Sequence, residues 1–173
     1  MRFARITLPM TLLLVAPLAA QLPAPAAEML RRLYASRDFA SQRFGPARWI
    51  ENGAAYTTLE ASAAVRGGFD IVRYGTATGV RSILISAQRL TPAGSATPLE
   101  MDDYVWSADG ARLMIFTNTE RVWRANTRGD YWVLDRASGA LRQLGQGGPA
   151  STMMYAKFSP AGDRVAYVRR GDI

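Results

Sequence analysis

One five-residue frame occurs three times in the chain. Trp49-Ile50-Glu51-Asn52-Gly53 aligns with Trp106-Ser107-Ala108-Asp109-Gly110 and with Phe158-Ser159-Pro160-Ala161-Gly162, at offsets of 57 and 52 residues. An apolar run follows each glycine: Ala54–Leu59, Leu113–Thr117 and Val165–Val168. Next comes a run opened by an aspartate: Asp70–Tyr74, Asp130–Asp135, and the short Gly171-Asp172-Ile173. Thr78-Gly79 and Ser138-Gly139 mark the same later turn, 60 residues apart. Short β-branched and aromatic runs between Gly, Asp and Ser turns read as strands. A period near 50 residues with four strands per copy is the pattern of β-propeller blades.

The predicted fold class is therefore all-β, an incomplete β-propeller spanning residues 46–173. Blade one runs from Arg48 to about Leu90, and Thr91–Pro98 links it to blade two. Blade two is Asp103–Leu144, with strands expected at Tyr104–Ser107, Leu113–Thr117, Tyr131–Leu134 and Leu141–Leu144. Gly145–Ala150 is the next linker, and Tyr155–Ile173 begins blade three. Propeller blades protect their edges by closing a ring, which two blades and part of a third cannot do. The pattern predicts the N-terminal fragment of a longer protein. A complete chain forming a small open sheet would leave unpaired edges.

Ahead of the repeats, Met1–Ala20 places Arg2 and Arg5 before an apolar stretch that ends in Ala19-Ala20. That order predicts a secretory signal peptide, cleaved after Ala20 or after Ala26, and a periplasmic or secreted protein. The apolar stretch is short for a membrane anchor and contains Pro9 and Pro17. Residues 21–45 are a Pro- and Ala-rich lead-in with a short amphipathic helix at Glu28–Phe39, which the reading packs on blade one. The chain has no cysteine, so an exported fold would rely on packing. Its formal charge of +7 comes from scattered arginines, not a clustered stripe, which argues against a nucleic-acid partner.

Chemistry is limited by what is missing. The 173 residues contain no histidine, so no Ser-His-Asp or Cys-His triad lies within them. No Gly-x-Ser-x-Gly elbow is present, and no His/Cys cluster points to a metal. No catalytic residue, metal site or cofactor is assigned. Ser159 beside Lys157 reads as a turn serine, because it repeats Ser107. Asp102-Asp103 reads as a solvated strand start, and Trp49, Trp106 and Phe158 read as core between blades. The departure from the repeat is Asn118–Gly129, a polar loop with Trp123, Glu120, Arg121, Arg124 and Arg128, where Glu120 is expected to pair with Arg124. Loops on rigid scaffolds are where binding groups concentrate.

The stretch Thr117–Gly145, together with Ala156–Arg169, resembles the N-terminal propeller of bacterial dipeptidyl peptidase IV, of the prolyl oligopeptidase superfamily. Val122-Trp123-Arg124 followed by Gly-Asp-Tyr-Trp-Val-Leu-Asp is its most specific part. The resemblance implies an eight-bladed propeller joined to a C-terminal α/β-hydrolase domain that carries a serine, aspartate and histidine. Such an enzyme removes N-terminal dipeptides with proline or alanine second. It also implies that Arg124 binds a carbonyl of the peptide substrate, while two glutamates elsewhere hold the free amine. A homodimer is left open, and this chain alone is expected to hydrolyse nothing. The competing expectation is a non-enzymatic periplasmic propeller that binds proteins or peptides.

Overall fold

A computed structural model describes residues 22–36, 38–40 and 44–172. The leader expected at Met1–Ala20 lies outside them, as do Arg37 and Ile173. The chain divides after Gln42 into two units.

In the first unit, helix α1 spans Ala24–Tyr34 rather than Glu28–Phe39. Proline is tolerated in a first helical turn, where the backbone N–H has no intrahelical acceptor, so Pro25 does not delay the start. The helix ends early because the Ser36 hydroxyl donates back to the Arg32 carbonyl and Arg32 turns to Asp38. No residue of α1 is buried.

Among its described residues the second unit holds ten strands. β1 (Arg48–Ile50), β2 (Ala55–Ala61), β3 (Phe69–Gly75) and β4 (Arg81–Ile85) form one antiparallel sheet in that order, which is blade one. β5 (Asp103–Trp106), β6 (Arg112–Val122), β7 (Ala125–Asp135) and β8 (Leu141–Gln143) form blade two, and β9 (Met153–Phe158) with β10 (Val165–Arg169) starts blade three. Blades two and three are not separate sheets. β7 is long enough to share one edge: Trp132–Leu134 pairs with β8, while Arg128 and Gly129 pair with β9.

The repeated turns are built by side chains acting on backbone. Arg112 N–H donates to Ser107 Oγ (2.9 Å), and the Ser107 hydroxyl donates to Asp109 Oδ1 (2.6 Å). Ser159 repeats this with Asp163 and the Arg164 amide, so it is a turn residue as read from the sequence. Gly110 and Gly162 follow at φ 68° and 73°, where a β-carbon is disfavoured. A second repeated device involves the aspartates that open the third strands. Asp70 Oδ1 accepts the Ala87 N–H (2.7 Å), and Asp130 Oδ1 accepts the Ser151 N–H (2.8 Å). Each aspartate thereby fixes the chain on its way out of the blade.

Two cores lie between the blades. Ile71, Ile85, Leu90, Tyr104, Leu113, Ile115 and Leu134 fill the space between blades one and two. Met114, Tyr131 and Met153 do so between blades two and three. At the first interface the buried Thr57 hydroxyl is a polar node. It accepts from Tyr104 Oη (2.9 Å) and Trp106 Nε1 (3.0 Å) and donates to the Arg48 carbonyl (3.3 Å). Burial pushes the Tyr104 phenol up to about 12.

Trp106 and Phe158 pack against these cores, as expected. Trp49 does not: it is 71% exposed and meets Tyr56 edge-on at 5.8 Å. The repeat explains the difference. Trp106 faces blade one and Phe158 faces blade two, so each frame aromatic points to the preceding blade. The same register turns Trp49 to the face of blade one that no described strand covers.

Candidate functional site

The stretch Asn118–Gly129, expected as a loop, is a β-hairpin arm. β6 and β7 run past the end of their neighbours and pair out to Val122 opposite Ala125. Trp123 and Arg124 form the two-residue turn, with Trp123 at φ 60°. The sequence hid the strands because pairing is interrupted twice. Asn118 and Thr119 together oppose Gly129, and Thr127 is an extra residue on the other strand. Such bulges bend a ribbon and re-aim its side chains, and they break the alternation by which a strand is read.

At the tip, the Arg124 guanidinium carbon lies 4.5 Å from the centre of the Trp123 ring. Both residues are exposed, and Arg124 makes no ion pair among the described residues. Arg121 Nε donates to the Trp123 carbonyl (3.1 Å), bracing the turn. Glu120 pairs with Arg128, not with Arg124 as expected. The i, i+4 spacing brings side chains together on a helix, whereas in this hairpin Arg128 is the residue opposite Glu120. Of the three arm arginines, Arg121 and Arg128 are committed to the arm itself. The planar fork of donors on Arg124 has no hydrogen-bond acceptor among the described residues.

The base is fastened at two points. Asn126 Nδ2 donates to Thr119 Oγ1 (2.7 Å), and the Thr119 hydroxyl donates to Asp102 Oδ2 (2.9 Å). Asn118 Nδ2 donates to Asp130 Oδ2 (2.8 Å), and the Ser151 hydroxyl donates to the Asn118 carbonyl (2.7 Å). Asp102 and Asp103 are therefore not merely a solvated strand start: Asp103 pairs with Arg48 and Asp102 anchors the arm. Gly129 is required by close approach. A β-carbon there would stand 2.6 Å from Phe116 Cε2 and 2.8 Å from the Thr117 carbonyl. Arg48, Tyr104, Phe116, Asn126, Tyr131 and Tyr155 line a cavity of about 290 Å³ at the foot of the arm. Among the described residues no three His, Cys, Asp or Glu side chains converge as a metal would need. Nor is any helix among them long and apolar enough to cross a membrane.

Antiparallel four-stranded blades packed face to face, one of them extended into an arginine-tipped arm, define part of a β-propeller. Residues 107–173 match the family described as dipeptidyl peptidase IV (DPP IV) N-terminal region. The chain is 28% identical over 94 residues to dipeptidyl peptidase 4 of Trichophyton rubrum, covering 54% of this chain and 12% of that protein. It is 30% identical over 113 residues to a probable dipeptidyl-aminopeptidase B of Podospora anserina, covering 65% and 11%. The crystal structure of Porphyromonas gingivalis dipeptidyl peptidase 4 superposes with a TM-score of 0.62 at 26% identity, over 78% of this chain and 18% of that one. The likeness to these proteins lies in what the matching family describes as the N-terminal region of dipeptidyl peptidase IV. It spans between 7% and 12% of the length of the curated relatives it matches.

Proposed function

We propose that this chain is the recognition-bearing start of the propeller of an exported serine dipeptidyl peptidase. That enzyme would release N-terminal dipeptides with proline or alanine in the second position. Arg124 would hold a backbone carbonyl of the peptide. The observation that carries this reading is the uncommitted Arg124 guanidinium at the tip of a braced arm, beside two arginines tied up in structure. A serine nucleophile needs a general base, and none of the 173 residues is histidine, so nucleophile and base would come from a hydrolase domain elsewhere in the whole protein. Met1–Ala20 would act as the export leader. Leaderless protein beginning near Gln21 in the periplasm would support that assignment, and uncut protein in the cytoplasm would oppose it.

The test is turnover of a Gly-Pro chromogenic amide by the whole protein, beside the same amide acetylated at its N-terminus. The reading expects hydrolysis of the free amine alone. No turnover of either, with retained binding of peptides, would favour a propeller that only binds. Equal turnover of both would contradict dipeptide release.

A further inference from the structure

We propose that Asn118, Asp130 and Ser151 are positioning residues for Arg124, forming a clamp that fixes the base of the arm and hence the place of the guanidinium. This rests on the reading of Arg124 given above. The comparison within the chain carries the inference. Asp70 and Asp130 occupy the same place in successive repeats, and each receives the backbone N–H of the outgoing chain. In blade one the device stops there: Asp70 takes no side-chain donor among the described residues. In blade two, which carries the arm, Asp130 also takes Asn118 Nδ2, and Ser151 donates back to the Asn118 carbonyl. A clamp common to the repeat has thus been extended by two side chains, those of Asn118 and Ser151, where the arm begins.

Asn118 and Ser151 both have left-handed backbone, at φ 48° and 55°. Few residues other than glycine adopt it without support, and here each supports the other. Asn118 is also the first residue of the bulge from which the arm departs. From there to Trp123 is five residues of strand, roughly 16 Å of lever at about 3.3 Å per residue. A tilt of about 4° at the base moves the tip by about 1 Å, and a misplacement of that size can cost about 100-fold in rate. The clamp also ties the arm to β9, because Ser151 lies just before Met153, which pairs with Gly129.

The experiment measures kcat/KM of the whole protein on the Gly-Pro amide. Asn118→Gly and Ser151→Gly keep the left-handed backbone accessible while removing one hydrogen bond each. Each is expected to lower kcat/KM roughly tenfold, part of the loss a 1 Å displacement can bring. In an Arg124→Ala background the same changes are expected to alter kcat/KM by less than about twofold, since residues acting through one group are not additive. Asp70→Asn, in the clamp without an arm, should change the melting temperature and leave kcat/KM unchanged. Independent, multiplying losses would overturn the clamp's role, as would Asn118→Gly and Ser151→Gly variants at full activity while Arg124→Ala is impaired. Full activity of Arg124→Ala itself removes the functional reading, and the clamp's purpose with it.

Discussion

Replacing Thr57 by valine tests how the first two blades are joined. The hydroxyl is fully buried and saturated: its one proton goes to the Arg48 carbonyl, and its two lone pairs take Tyr104 Oη and Trp106 Nε1. Valine has nearly the same shape, so little packing is lost. Tyr104 retains a second acceptor in the Pro46 carbonyl at 3.3 Å, whereas no other acceptor faces Trp106 Nε1 among the described residues. The cost is therefore that of one unsatisfied donor, about 1–3 kcal/mol. Urea unfolding of the whole protein, followed by tryptophan emission, should show that loss in the propeller transition. Removing the donor as well should cancel most of it: in a Trp106→Phe background, Thr57→Val should cost less than about 0.5 kcal/mol, because neither side of the bond is then left unpaired. An equal cost in both backgrounds, or none in the wild type, would refute the node.

Further outcomes follow from single contacts. Gly129→Ala must displace the Thr117 carbonyl or Phe116, at about 1–3 kcal/mol, and should loosen the arm before it melts the blade; hydrogen exchange of the Glu120 and Arg128 amides would report it. Asp70→Ala leaves the buried Ala87 N–H without its partner and should cost about 1–3 kcal/mol in the same urea assay. Tyr104 gives a pH signature. Its folded value, about 12, lies above the ordinary 10, so its contribution is intact below pH 10 and is lost as pH rises from 10 towards 12. Tyr104→Phe should flatten that part of the stability profile, and an unchanged alkaline limb would contradict the burial argument.

The propeller was legible because its turns constrain residue type. A left-handed glycine and a serine that folds back on its own turn leave a frame that survives sequence drift, as at Ser107–Gly110 and Ser159–Gly162. The arm was not legible as strands. Its two bulges break the period of two, its sides are polar, and its turn is Trp-Arg rather than Asn-Gly. Trp49 departs from the core expectation because repeat register fixes which face an aromatic takes, but not whether a blade stands on that face. Asp102 and Asp130 cannot be read locally as fastenings, since their partners Thr119, Asn118 and Ser151 lie 12 to 21 residues away. The tip itself, Trp123-Arg124, stood out only by likeness to a family, and no local rule distinguishes it from a solvated turn.

The most direct measurement is kcat/KM of the whole protein carrying Arg124→Ala, on a Gly-Pro chromogenic amide. Arg142→Ala, on the exposed side of β8, is the control. A charge-assisted hydrogen bond to a peptide carbonyl is worth about 1.5–3 kcal/mol, so the account predicts a loss of roughly 10- to 150-fold with the melting temperature preserved. Arg124→Lys should recover part of it, since an ammonium lacks the planar fork. Arg124→Ala with wild-type kcat/KM, or an equal loss in Arg142→Ala, would contradict the account.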